Sequence, residues 1–179
     1  INANSLEGYL MPDTYYFNED QPIEQIIHTL VENQNRIIVK YSKEKTSFLN
    51  NYQALILASI IQAETPLANE MPIISSVYHN RLQRGMILQA DPTILYAIYP
   101  RKTIYSSDLR LDNIYNTYKY QGLPPTPINN PSKIAIEAAF NPAKTQYFYF
   151  VKASDTSSSH IFSNNYSQHR KNVNNLRKN

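Results

Sequence analysis

The stretch YQALILASIIQAET, residues 52–65, predicts one apolar helix. Four of its positions recur at i, i+3, i+4 and i+7 and therefore share one face: Leu57, Ile60, Ile61 and Glu64. A carboxylate thus stands on the stripe that ought to be buried, where Asp and Glu are rarely found without a partner. Thr65 precedes Pro66, and a residue before proline is pushed out of the α region, so the helix should end near Glu64.

This position favours an uncharged Glu64 carboxyl. The negative end of the helix dipole and the apolar surroundings both disfavour the ionised form, so both raise the pKa toward neutrality. A carboxyl that carries a proton near neutral pH suits general acid/base catalysis. The alternative is an ordinary glutamate of the last turn, partly exposed and paired with an arginine or a lysine.

Composition restricts the class of protein. The chain has 179 residues, and 42% of them are hydrophobic. This is enough for a single globular domain, residues 1–179, with a hydrophobic core of its own. Its net charge of +3 is weaker than the basic stripe expected of a nucleic-acid-binding protein. The absence of cysteine excludes disulfides and Cys–zinc sites. Fifteen tyrosines suit sugar faces or bases, although tyrosine is also common core material.

We expect neither a metal nor a cofactor. The four histidines do not follow a metal-ligand spacing, so each is expected to be structural: His28, His79, His160 and His169. With three glycines and no Gly-rich phosphate loop, the sequence argues against a nucleotide-binding fold.

The remaining segments predict an α+β fold, mainly helical, with small β-elements near the N-terminus and a β-hairpin near the C-terminus. Residues 5–17 are typical of a strand or an extended loop. The other predicted elements are a helix from Pro22 that runs, with a break, into the forties, a helix from Pro72 to Gly85, a short helical piece after Pro92, a helix from Pro131 to Phe140, strands at 147–151 and 160–163, and a last helix at 164–176 capped by Ser163 or Asn164. The irregular stretch 86–130 is long for a compact domain, and such loops are usually functional.

Three short segments could supply polar groups near Glu64. Their residues are Asn80, Arg81, Gln89, Asp91, Tyr115, Asn116, Thr117 and Tyr118. Aromatic rings and amides in an irregular loop suit a carbohydrate groove, and they equally suit ordinary loop anchoring. Alternatively, Arg81 forms an ion pair with Glu64 or Glu70. Asp91, in turn, is the N-cap of a short helix that begins at Pro92.

Six segments together resemble one bacterial family. They occur in the order and spacing of the endolytic murein transglycosylases, also called YceG-like proteins: LEGYLMPDTYYF (6–17), ASIIQAET (58–65), SVYHNRLQRGMILQADPTILYAI (76–98), YNTYKYQGLPPTPINNP (115–131), AAFNPAKTQYFYFV (138–151) and HIFSNNYSQH (160–169). The resemblance implies cleavage of the β-1,4 bond between N-acetylmuramic acid and N-acetylglucosamine within peptidoglycan strands. The implied cut is not hydrolytic and leaves 1,6-anhydromuramoyl ends.

The resemblance places the catalytic glutamate at Glu64. Relatives usually carry two glutamates in this segment, whereas this chain has Gln62 at the first position, so Glu64 alone remains able to transfer a proton. The muramic acid C6 hydroxyl is the nucleophile in this chemistry, so one acid/base suffices, while standard hydrolysis needs two carboxylates. The resemblance also covers the eight polar candidates above, as residues that bind substrate or support the groove. Ser159 and Gln168 depart from the family, which tends to have Gly and Glu there.

Members of this family are typically anchored in the inner membrane by one N-terminal helix, which a small LysM-like domain follows. The resemblance therefore implies that this chain is the catalytic part, faces the periplasm, binds peptidoglycan strands and touches the membrane through an anchor outside these residues. The cell-wall synthesis machinery is an expected partner, and nucleic acid is not. An alternative is a non-catalytic peptidoglycan-binding module, against which Glu64 argues. A cytosolic lyase of small cyclic acids would need a lysine in an apolar context, and the lysines lie in polar stretches.

Overall fold

The computed structural model describes residues 5–154 and 156–176. Within them lie six α-helices, one 3-10 turn and two strands: α1 Ile23–Lys43, α2 Asn51–Glu64, α3 Met71–Gln83, α4 Asp91–Ala97, the turn Asp108–Arg110, α5 Lys133–Phe140, β1 Tyr149–Lys152, β2 His160–Ser163 and α6 Tyr166–Leu176. The predicted α+β class with a dominant helical part is confirmed. Among the helices described, none is both long and apolar enough to cross a bilayer.

Helix α2 lies at the centre of the fold. It begins with a reciprocal cap, in which the Asn50 side chain accepts from the Gln53 N–H and the Gln53 side chain accepts from the Asn50 N–H. Every residue from 54 to 61 is buried, because α1, α3, α4 and α5 all pack against this helix. The helix ends at Glu64 as predicted, and Thr65 is extended at φ −147° and ψ 139°.

Helix α5 packs along α2 and also contacts α1 and α3. It presents a face of small side chains to the core, since Ala135, Ala138 and Ala139 are all buried. Small side chains allow the two helix backbones to approach closely without leaving a void. The helix begins two residues later than predicted, because Ser132 accepts from the Ala135 N–H and acts as the cap.

The expected β-element near the N-terminus is wrong. Residues 5–22 form turns, bends and irregular backbone, with no strand among them. Their polar backbone groups are satisfied by distant side chains: the N–H groups of Gly8 and Leu10 both donate to Asn130 Oδ1, and Gln34 Nε2 donates to the Gly8 carbonyl. No neighbouring strand is therefore needed to pair this segment.

Two helix details also differ from the prediction. Helix α1 runs unbroken over 21 residues, since neither proline nor glycine interrupts its buried face of Gln34, Ile38 and Tyr41. Helix α6 is capped by Asn165, whose Oδ1 accepts from the Gln168 N–H at 2.9 Å. Ser163 and Asn164, the predicted caps, lie before this turn.

The predicted C-terminal hairpin is confirmed. Strands β1 and β2 pair antiparallel, with Tyr149 opposite Ser163 and Lys152 opposite His160. Helix α6 packs against both strands, and β1 contacts α3. The hairpin and α6 therefore stand beside α3, next to the end of α2 that carries Glu64.

Candidate active site

A cavity of about 590 Å³ opens where the C-terminal end of α2 meets α3, α4 and the hairpin; we call it the Glu64 cavity. Its lining residues are Glu64, Tyr78, Arg81, Leu88, Gln89, Asp91, Tyr118, Tyr149, Phe150, Val151, Lys152, His160, Tyr166, His169 and Leu176. Two other cavities, of about 530 and 540 Å³, also touch α3, and neither is lined by a carboxylate. Of these three cavities, the Glu64 cavity is therefore the one that offers a carboxylate for acid/base chemistry.

Glu64 enters the cavity from the last residue of α2 and keeps partial exposure because it forms part of the cavity wall. The Tyr78 hydroxyl donates to Glu64 Oε1 at 2.5 Å. Burial raises the pKa of the Glu64 carboxyl to about 7. The Tyr78 hydrogen bond and the Arg81 charge oppose this rise in pKa, while the negative charge of Asp91 adds to it. The direction is the one that the sequence predicted, and burial is its main cause.

Tyr78 is the group that sequence reasoning missed. Its side chain is 1% exposed and meets Phe150 edge-to-face, with ring centroids 6.0 Å apart. Burial and the neighbouring Glu64 carboxylate raise the pKa of Tyr78 well above its usual range, so the phenol keeps its proton and acts as a donor. In sequence, a tyrosine in an apolar helix is typical of core packing. The spacing of Tyr78 and Arg81 at i and i+3 was the available signal that both share a face.

The Arg81 guanidinium donates hydrogen bonds to backbone carbonyls. Its Nε donates to the Phe148 carbonyl at 2.7 Å and its Nη1 to the Leu88 carbonyl at 2.7 Å. Its guanidinium carbon lies 5.2 Å from the centre of the Tyr149 ring. None of the ion pairs among the described residues joins Arg81 to Glu64 or Glu70, so the alternative of a simple last-turn ion pair is wrong. Arg81 instead ties the hairpin to the segment that precedes α4.

Asp91 and Tyr118 form a second carboxyl–phenol pair in the cavity. The Tyr118 hydroxyl donates to Asp91 Oδ1 at 2.5 Å. The predicted alternative of an N-cap is wrong, because Asp91 is the first residue of α4, Ala90 stands at the cap and no side chain caps this helix. The pair places a negative charge near Glu64 and holds it by a specific hydrogen bond.

Gln89 has an unusual backbone, with φ of +51° in the left-handed region. Few residues other than glycine adopt this conformation, and backbone strain of this kind is often found at functional sites. The Gln89 N–H donates to the Thr117 carbonyl at 3.0 Å, and its Oε1 accepts from Arg81 Nη1 at 3.4 Å. These contacts hold the Gln89 amide at the cavity wall.

The other four candidates from the sequence lie outside the cavity lining, where they form hydrogen bonds with backbone groups or with neighbouring hydroxyls. Asn116 is fully buried and donates to three carbonyls, while its Oδ1 accepts from the Tyr118 N–H. Thr117 Oγ1 accepts from the Ala90 N–H, so both residues fix segments that do line the cavity. Tyr115 bonds to Thr126. Asn80 donates to the carbonyls of residues 145 and 147, on the other side of α3.

The hairpin is tied to the N-terminal end of α3 by Glu70 and His160. Glu70 Oε1 accepts from the His160 N–H at 3.0 Å, and Glu70 Oε2 lies 2.7 Å from His160 Nδ1. His79 also contacts buried partners, Ser47 and Ser75, as expected of a structural histidine. Within the described residues, no three His, Asp or Glu side chains gather as metal ligands.

Gln62 lies outside the Glu64 cavity, although it is two residues from Glu64 along α2. Its Oε1 accepts from the Ser132 N–H at 3.0 Å, at the beginning of α5. A carboxylate is therefore not required at this position for the cavity to keep its acidic group.

The fold and the cavity define a mainly helical α+β domain with one carboxyl of raised pKa in an aromatic-lined cavity. The chain belongs to the YceG-like family, which it matches over residues 1–175.

Named relatives support the same assignment. The chain is 41% identical over 153 residues to an endolytic murein transglycosylase of Bacillus subtilis (strain 168), covering 84% of this chain and 42% of the relative. It is 35% identical over 176 residues to an endolytic murein transglycosylase of Streptococcus pneumoniae (strain ATCC BAA-255 / R6), and this match covers 94% of this chain and 32% of the relative. The chain thus spans less than half the length of these relatives. The crystal structure of a yceG-like protein from Listeria monocytogenes is similar, with a TM-score of 0.80 and 38% identity, covering 93% of this chain and 55% of that one.

Proposed function

We propose that this chain cleaves the β-1,4 bond between N-acetylmuramic acid and N-acetylglucosamine within peptidoglycan strands without using water, with Glu64 as the general acid/base. The observation that carries this proposal is a carboxyl whose pKa is raised to about 7 in an open cavity. A group with this pKa gives and takes a proton with little cost near neutral pH. The names of the two relatives supply the substrate class.

In the first step the protonated Glu64 donates to the glycosidic oxygen. The bond between that oxygen and C1 of the muramic acid breaks, and positive charge develops at C1 and the ring oxygen. Tyr78 donates to Oε1, and among the described residues nothing donates to Oε2 of Glu64, so Oε2 can carry the transferred proton. The Asp91 carboxylate, held by Tyr118, supplies a negative charge that favours this developing positive charge.

In the second step the C6 hydroxyl of the same muramic acid attacks C1. The Glu64 carboxylate takes the C6 hydroxyl proton, which closes the 1,6-anhydro ring and regenerates the acid. One carboxyl therefore serves both steps, and no second group is needed to activate water. The Tyr78 hydrogen bond stabilises the ionised carboxylate, so it favours the first step, in which Glu64 gives up its proton.

Aromatic rings around the cavity suit a glycan strand. Tyr118, Tyr149 and Tyr166 all line it, and such rings can cover the apolar faces of sugars. The Gln89 amide adds a group that can donate to a hydroxyl. We assign the contacts with substrate to Gln89, Asp91 and Tyr118, and a supporting role to Asn116 and Thr117.

The proposal also places the catalytic residues on the cell-wall side of the cytoplasmic membrane, where peptidoglycan lies. The inner-membrane anchor, the LysM-like domain and a partnership with the wall-synthesis machinery stay predictions from the resemblance.

Digestion of purified peptidoglycan by the wild-type chain and two variants tests the role of Glu64. Glu64→Gln should abolish release of soluble fragments. Glu137→Gln is the matched control, since Glu137 also accepts from a tyrosine hydroxyl, that of Tyr41 at 2.7 Å, but lies outside the cavity. It should retain activity. Equal activity of Glu64→Gln and the wild type would overturn the assignment of Glu64, and glycan binding without any cleavage by the wild type would favour the binding module.

A further inference from the structure

His169 on α6 carries an unexplained polar atom in the Glu64 cavity wall. Its Nδ1 is buried and has no hydrogen-bond partner among the described residues. The ring stacks on Tyr149, with centroids 5.2 Å apart and planes 21° apart. A buried polar atom without a partner is rare in native proteins and calls for an explanation.

Two other buried side-chain atoms share this property, Gln34 Oε1 and Asn129 Oδ1. Each belongs to an amide whose nitrogen is already used, because Gln34 donates to the Gly8 carbonyl and Asn129 to the Ser59 carbonyl. Neither lines the Glu64 cavity. His169 is therefore the one of the three whose side chain reaches the cavity.

The surroundings of His169 select one tautomer. A proton on Nδ1 would face no acceptor among the described residues. Burial and the positive charge of Arg81 lower the pKa of His169, so the ring is neutral near pH 7. A neutral imidazole has one N–H, which is thereby assigned to Nε2.

We propose that His169 is a substrate-binding residue whose Nε2–H donates to an uncharged acceptor oxygen of a bound sugar, either an acetamido carbonyl or a hydroxyl. This inference rests on the proposed function, because it takes a glycan strand as the ligand. Stacking on Tyr149 fixes the ring plane, so the donor direction is set before the sugar arrives. Nδ1 then lacks a partner because the single proton of the ring is on Nε2, which faces the ligand.

Nitrogen NMR of the histidine side chains tests the tautomer without any activity assay. Long-range proton–nitrogen correlations at pH 7 should show His169 protonated at Nε2 and bare at Nδ1. Protonation at Nδ1, or at both nitrogens, would overturn the inference. This result is independent of whether the chain cleaves glycan.

Substitution of His169 separates binding from packing. His169→Phe keeps a flat ring against Tyr149 and removes both nitrogens. Since the buried Nδ1 has no partner, the melting temperature should stay the same or rise. Loss of one donor to the sugar should weaken binding about tenfold. His28→Gln, at an exposed position of α1, is the control and should change neither quantity.

Binding is measured with a soluble tetrasaccharide of alternating N-acetylglucosamine and N-acetylmuramic acid, in proteins that also carry Glu64→Gln to prevent turnover. A second series uses the same sugar after removal of its acetyl groups. If the acceptor is the acetamido carbonyl, His169→Phe loses its effect with the deacetylated sugar; if it is a hydroxyl, the effect persists. Equal affinity of a folded His169→Phe and its parent for the acetylated sugar overturns the inference, whereas absence of both cleavage and binding by the wild-type chain overturns the proposed function.

Discussion

Tyr78 on α3 and Glu64 at the end of α2 are joined by a hydrogen bond of 2.5 Å, in which the phenol donates to the carboxyl Oε1. The bond fixes the orientation of the carboxyl group in the cavity. It also works against burial, which raises the pKa of Glu64. The two effects together leave the pKa near the value that a group needs if it must first give and then take a proton.

Tyr78→Phe should shift the pH dependence of cleavage. Without the phenol the ionised form of Glu64 loses a donor, so its pKa rises further above about 7. The first step needs the protonated acid, so the alkaline limb of the kcat/KM profile should move to higher pH. The maximal rate should fall roughly tenfold because the carboxyl loses its fixed orientation.

Tyr41→Phe is the control for this shift, since Tyr41 donates to Glu137 at 2.7 Å outside the cavity. It should leave the pH profile unchanged. An alkaline limb that moves to lower pH in Tyr78→Phe would contradict the account.

Glu64→Gln should stabilise the fold at alkaline pH. The folded-state pKa of Glu64, about 7, lies above the usual value of 4.5. The folded state therefore binds this proton more tightly than the unfolded state, so stability is greatest below the unfolded pKa and is lost as the pH rises through the folded one. Above that range the wild type is penalised by roughly 3 kcal/mol. Urea unfolding should show a gain of this order for the variant near neutral-to-alkaline pH and little gain in acid, and a gain confined to acid would have the wrong sign.

Arg81→Lys should damage both stability and activity. Lysine cannot reproduce the fork that reaches the carbonyls of Leu88 and Phe148, so buried acceptors lose their donors. The expected loss in the free energy of unfolding is about 2–4 kcal/mol. Arg84→Lys is the matched control at the residue that follows α3, because Arg84 is exposed and its substitution should change stability by less than about 1 kcal/mol. Similar losses for both substitutions would show that the buried fork is unimportant.

Glu70→Ala should loosen the hairpin. It removes the acceptor of the His160 N–H and the partner of His160 Nδ1, in a pair that is mostly buried. Amide hydrogen exchange in β2 should become faster, and the free energy of unfolding should fall by about 3 kcal/mol. Glu32→Ala removes an exposed partner of Arg36 instead and should cost less than about 1 kcal/mol. Unchanged exchange in β2 would mean that the hairpin is held by its packing alone.

Local sequence patterns predicted the parts of the fold whose causes are local. The apolar run of α2 and its end before Pro66 follow from neighbouring residues, as do the alternating strands of the hairpin. The N-terminal segment is different. Asn130 and Gln34 hold the backbone of Gly8, and contacts across 122 and 26 residues leave no signal in the local pattern.

The candidate site shows the same division. Glu64 was predictable because a carboxylate conflicts with its apolar helix face. Tyr78 conflicts with nothing in its own helix, so its role is visible only when α2 and α3 are packed. Asn116 and Thr117 were predicted as polar groups of a groove, but the sequence could not separate residues that face the cavity from residues that fix the loop behind it.

The fate of solvent oxygen shows whether Glu64 serves a cleavage in which the sugar's own C6 hydroxyl replaces water. Peptidoglycan is digested by the wild-type chain in water labelled with oxygen-18, and the soluble products are weighed by mass spectrometry. We expect products lighter by one water than hydrolysis products, free of the label and absent with Glu64→Gln. Products that carry the label at a reducing end would show hydrolysis instead and would rule out this role of the C6 hydroxyl.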